Sequence, residues 1–170
     1  MLSRLLALFN DDMRLTKIYL GVLGAEYNVA EIGDLCALIA GYHNDKIREE
    51  ISVILAIYPR NDPRLCQYSA LFDNIHLLLY LRDSIGYIAD DSAVFSAIYA
   101  DSPRCLLSLI AGADYEIGYY RVILKLEIFR CDAHLCYLAL SDWYRNDDRT
   151  YILDSIKKYN AVKILKWANI

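Results

Sequence analysis

The chain has 170 residues, is 56% hydrophobic and 24% charged, and carries a formal net charge of −4. That apolar content excludes a disordered chain and suffices for one domain with a real core, so residues 1–170 are expected to fold as a single domain. Seven glycines and three prolines leave little for the tight turns of an all-β protein, and the acidic balance excludes a non-specific nucleic-acid binder, which must neutralise phosphates.

From the start, Leu5 to Phe9 form an apolar run that ends at Asn10-Asp11-Asp12, too short for a secretory signal. Leu15, Ile18, Tyr19, Val22 and Leu23 follow the i, i+3, i+4, i+7, i+8 spacing of an amphipathic helix, and Ile47, Ile51, Ile54, Leu55 and Tyr58 repeat it. The most apolar stretch, Ile51–Tyr58, is far below the ~20 residues a membrane span needs. Asn61-Asp62-Pro63 and Asp101-Ser102-Pro103 put a capping residue just before a proline, a helix-start signal. Asn44, Asn74, Asp132 and Asn160 read as N-caps of the same kind.

These breaks fall near residues 11, 44, 74, 102, 132 and 160, at intervals of 33, 30, 28, 30 and 28. A second set of polar segments lies between them: 24–31, 58–65, 86–92, 111–120 and 141–149. The implied unit is helix, tight turn, helix, longer loop. The expected fold is therefore all-α, an α-solenoid of about six short helix pairs in which each pair buries its apolar stripe against its neighbours.

Asp91-Ser92-Ala93-Val94-Phe95-Ser96-Ala97 resembles the start of the first helix of an ankyrin repeat, and Pro103–Asp114, closing on Gly112-Ala113-Asp114, resembles its second helix and end. Ser69-Ala70-Leu71-Phe72, Asn74–Leu81 and Asn160–Asn169 echo the same pattern. The resemblance is to ankyrin-like repeats over roughly residues 63–170, clearest over 91–114. Phe72 and Phe95 stand where that family has a histidine, so the side chain that ties neighbouring ankyrin turns together is missing. The resemblance implies a protein-binding module with no chemistry of its own.

No catalytic, cofactor or metal motif contradicts that implication. HExxH, the P-loop, GxGxxG and GxSxG are all lacking. The five cysteines are odd in number and sit in apolar runs, as small core residues do in a reducing, cytoplasmic setting. His134 with Cys131 and Cys136 would give three ligands with no fourth for a closed zinc site. The expectation is no enzyme activity, no cofactor and no metal.

The loops between pairs carry the one compositional bias. Their 42 residues hold ten acids and four bases, a net of −6, together with eight aromatics. In an ankyrin-like stack these loops would line one edge. The candidate partner-binding residues are Tyr87, Asp90 and Asp91; Asp114, Tyr115, Glu116 and Tyr119; and Trp143, Tyr144, Asp147 and Asp148. Exposed Tyr and Trp supply contact area, and carboxylates beside them steer a basic partner. The partner expected is a basic protein, with no nucleic acid and no membrane. An inhibitor or immunity protein that caps a nuclease toxin fits; an adaptor or effector binding a regulatory protein, and a small helical enzyme, are the alternatives.

Overall fold

The computed structural model describes residues 63–111, 119–145 and 147–168. The two helix pairs expected before residue 63, Cys36, and the candidate residues Asp114, Tyr115 and Glu116 lie outside them. Among the described residues the chain is helical, without strands. The helices are α1 (Arg64–Leu71), α2 (Ile75–Leu79), α3 (Asp91–Tyr99), α4 (Pro103–Ile110), α5 (Tyr119–Arg130), α6 (His134–Ala139), α7 (Ser141–Tyr144), α8 (Arg149–Tyr159) and α9 (Val162–Trp167). A π-helical segment, Tyr80–Ile85, prolongs α2 and ends at Gly86, whose φ of +83° is the left-handed value glycine takes freely. The one-turn α7 occupies part of the 141–149 segment, which the sequence marks as a loop.

Four helix pairs follow: α1–α2, α3–α4, α5–α6 and α8–α9. Within each pair the helices pack on each other; the first helices touch in the order α1, α3, α5, α8, and the second helices in the order α2, α4, α6, α9. The burial pattern repeats with this order. Leu65, Cys66, Ser69 and Ala70 of α1 have their counterparts in Ala93, Val94, Ala97 and Ile98 of α3 and in Leu124, Lys125, Ile128 and Phe129 of α5, all buried. On the second helices Leu77, Cys105, Cys136 and Ile164 hold equivalent buried places. Burial pushes the Cys66 and Cys105 thiols up to about 12, so both stay protonated and act as small apolar fillers.

The tight turns share one geometry. Asp73, Asp101, Asp132 and Asn160 have φ between 51° and 55°, the left-handed region that Asp and Asn enter more readily than other non-glycine residues. The N–H after each donates to the carbonyl five residues back: Asn74 to Ser69, Ser102 to Ala97, Ala133 to Ile128 and Ala161 to Ile156, at 2.8–3.0 Å. This pattern ends a helix while satisfying its last carbonyls. Asp132 and Asn160 are therefore the terminators of α5 and α8, not the N-caps the sequence suggests. The N-caps of α6 and α9 are Ala133 and Ala161, which have no capping side chain.

The missing cap comes from the preceding pair. The Asp132 carboxylate accepts from the N–H groups of Lys163 and Ile164 at 2.9 and 3.0 Å, in the first turn of α9. Asp101 accepts from the Cys136 N–H at 3.0 Å, in the first turn of α6. Its second oxygen lies 2.8 Å from His134 Nδ1. A negative charge at a helix N-terminus is favourable, and here each carboxylate joins two consecutive pairs. Asp73 makes a weaker rung: its carboxylate meets the Cys105 thiol at 3.8 Å.

Candidate binding face

The loop acids act chiefly on their own helices. Asp90 accepts from the Ser92 N–H at 3.0 Å and caps α3; Asp148 accepts from the Thr150 N–H at 2.9 Å and caps α8. Asp91 is exposed in the first turn of α3, where its charge also suits the helix dipole. Asp147 turns inward. Both its oxygens take hydrogen bonds from Lys125 Nζ, at 2.8 and 2.6 Å. Lys125 is buried at the position that Cys66 and Val94 hold in the preceding first helices, so this pair ties the end of the 141–148 segment to the core.

The loop aromatics divide in the same way. Tyr87 and Tyr144 are buried, so neither presents contact area to a partner. Tyr144 packs edge-on to Phe129 at 5.7 Å and against Tyr137 at 4.6 Å, with the Lys125 ammonium 5.0 Å from its ring centre. Burial pushes its phenol well above the usual tyrosine range, and among the described residues its hydroxyl has no hydrogen-bond partner. Trp143 is partly buried against the core; the Arg121 guanidinium lies 5.3 Å from its ring and donates 2.7 Å to its carbonyl. Tyr119 is fully available, 77% exposed, and stands edge-to-face with Tyr120 at 6.4 Å.

Asp90, Asp91, Tyr119 and Asp148 are therefore each surface groups, while Tyr87, Tyr144 and Asp147 serve the interior. The more developed surface feature lies on the first helices. Between α3 and α5 runs an open groove of about 680 Å³ lined by Phe95, Ile98, Tyr99, Glu127, Arg130 and Cys131. Tyr99 is 75% exposed and Phe95 is also exposed. Glu127 and Arg130 pair at 3.2 Å along α5, and burial followed by the Glu127 charge pushes the Cys131 thiol up, so it is not an activated nucleophile. The groove can hold apolar or aromatic side chains of a ligand beside one acid and one base.

Sequence reasoning passed over this groove. The signal was present in α3: Ala93, Val94, Ala97 and Ile98 form the buried stripe, so Phe95 and Tyr99, four apart, must share the opposite face. Two large aromatics on the polar side of a short helix mark a contact surface more directly than aromatics in loops.

Among the described residues no group of three or more His, Cys, Asp or Glu is placed to hold a metal ion, and no helix is long and apolar enough to cross a membrane. Cys66, Cys105, Cys131 and Cys136 are free thiols. Compared with protein-family models, with curated proteins and with solved structures, the chain matches none.

Proposed function

We propose that this chain is a non-enzymatic interaction module, an ankyrin-like α-solenoid, that neutralises a basic partner protein in the cytoplasm in the manner of an immunity protein against a nuclease toxin. The solenoid reading is supported by left-handed turns at residues 73, 101, 132 and 160 and by first helices that pack on one another in chain order. The binding reading rests on one observation above others: Phe95 and Tyr99 stand exposed beside a groove between two consecutive pairs. Large aromatics anchor interfaces at low entropic cost. The choice of a basic partner is supported by the exposed loop acids Asp90, Asp91 and Asp148; Asp142 is paired with Arg145 at 2.7 Å.

The test is affinity capture from the source cells at moderate salt with the wild-type chain and with a Phe95→Ser/Tyr99→Ser variant of equal helicity. A basic protein retained by the first and lost by the second, and inhibited when the wild-type chain is added, supports the reading. Identical retention by both chains removes the groove as the binding face. Retention of acidic proteins alone removes the basic partner.

A further inference from the structure

The first helices α3, α5 and α8 stand side by side, and the places six and two residues before each left-handed turn lie opposite the buried stripe. Those places hold Phe95 and Tyr99 on α3 and Asp154 and Lys158 on α8, all four exposed. On α5 the second place holds Arg130, and Glu127, one residue on from the first, pairs with it at 3.2 Å. On both charged helices the acid precedes the base, so the charge runs from negative to positive toward the turns. Lys157, beside Lys158, adds to the positive end. The exposed charges at the starts of α3 and α8, Asp90, Asp91 and Asp148 against Arg149, keep the same polarity. The turn acids do not reverse it, because Asp73, Asp101 and Asp132 reach toward the second helices, where they meet Cys105, α6 and α9.

We propose that a second copy of the chain covers this face in solution, about a two-fold axis that runs along the stack at right angles to the helices. Such an axis makes facing helices antiparallel. It sets Phe95 against Tyr99 of the second copy, Glu127 against its Arg130 and Asp154 against its Lys158, with every contact made twice. One register thus satisfies all three helices: aromatic on aromatic at α3, acid on base at α5 and α8. A two-fold axis parallel to the helices and centred on α5 would instead set Glu127 on Glu127 and Arg130 on Arg130. Within one chain the Glu127–Arg130 pair is a weak surface pair, so it joins the contact across the axis at little cost. The open groove of about 680 Å³ beside Phe95 and Tyr99 receives the protruding Tyr99 ring of the second copy. Self-association then covers the groove that the partner would use, and the two exclude each other. That exclusion rests on the binding reading; the dimer does not.

The experiment is sedimentation equilibrium of the full chain over a wide concentration range, with the variants Tyr99→Ser, Glu127→Arg and Arg130→Glu, each shown by circular dichroism to keep its helicity. The expected result is a monomer–dimer equilibrium for the wild-type chain, weakened about tenfold or more by each variant alone. Glu127→Arg and Arg130→Glu each put like charges across the axis. Mixed one to one, they restore opposite charges at both contacts, so the mixture should dimerise about as tightly as the wild-type chain. A monomeric wild-type chain, a dimer that none of the variants weakens, or a mixture no tighter than its two components overturns the proposal. A monomeric wild-type chain leaves the capture experiment with Phe95→Ser/Tyr99→Ser standing, so the dimer and the binding reading fail separately.

Discussion

At the turns inside the helix pairs, Asp101 and Asp132 accept hydrogen bonds from a helix of the following pair, whereas at the loops between pairs Asp90 and Asp148 accept them from the helix they begin. The residue type is the same and the reach differs. A left-handed terminator holds the carboxylate at the end of the first helix, facing the next pair. A loop N-cap in extended backbone folds its carboxylate back onto its own first turn. One edge thus couples neighbours, and the other shapes single helices. Asp147 is the exception: it sits at the loop edge but reaches Lys125, 22 residues earlier.

That exception carries the largest expected effect. Asp147→Ala leaves the Lys125 ammonium buried without its counter-charge, and breaking such a pair from one side costs about 3 kcal/mol or more. Lys125→Met places an apolar chain where Cys66 and Val94 sit in the earlier pairs, and the Asp147 carboxylate it leaves unpaired is 21% exposed and can take water, so a smaller loss, about 1.5 kcal/mol or less, is expected. Urea denaturation of the two variants decides it. Similar losses for both would mean that the pair contributes through packing, and the exception would disappear.

Next come the rungs themselves. Asp132→Ala removes an acceptor shared by two backbone N–H groups and puts Ala at a φ of 51°, so a loss of about 2–3 kcal/mol is expected. Asp132→Gly relieves the backbone and should recover roughly 0.5–1 kcal/mol of that loss, leaving the rung's own share. Asp73→Gly, where the carboxylate meets only a thiol at 3.8 Å, should be within about 0.5 kcal/mol of wild type. Equal losses for the two glycine variants would show that the turns matter through their backbone and not through the coupling between pairs.

A pH series tests the interior behind each edge. The thiols of Cys66 and Cys105 ionise at about 12 in the fold and near 9 in the unfolded chain. The unfolded chain therefore holds fewer protons than the native one between those values, and stability falls as pH rises through that window. The slope is at most about 1.4 kcal/mol per pH unit for each group. Tyr144, also held protonated by burial, adds to the fall above pH ~10. Cys105→Ala should flatten the profile from pH ~9 upward; an unchanged profile would place the titrating groups elsewhere.

The helical class and the recurrence of the breaks were legible because both are local: apolar spacing and capping residues are written within a turn or two of where they act. Asp132 and Asn160 were visible as punctuation but were assigned to the wrong helix, since a polar residue at a break can end one helix as well as begin the next. Tyr87 and Tyr144 looked like surface aromatics because loop composition says nothing of what folds over a loop. Lys125 gave no local sign that it would replace Val94 in the core, because its partner is Asp147. The groove was readable from the burial stripe of α3, but only once that stripe is taken as fixing the opposite face.

The smallest expected effect is the one that separates folding from binding. Tyr99 is 75% exposed near the end of α3, two residues before the left-handed turn at Asp101, and its side chain takes no part in the turn's hydrogen bonds. Tyr99→Ser should therefore alter stability by no more than about 0.5 kcal/mol, as exposed substitutions away from caps do. The same change in an interface anchor lowers affinity by about 2 kcal/mol, roughly thirtyfold. Thermal melts and titration with the captured partner on one preparation measure both. A stable variant with weakened binding assigns the aromatic face to recognition. A destabilised one with unchanged binding would make Tyr99 part of the coupling between α3 and α5, and the distinction between edges that bind and edges that couple would have to be redrawn around it.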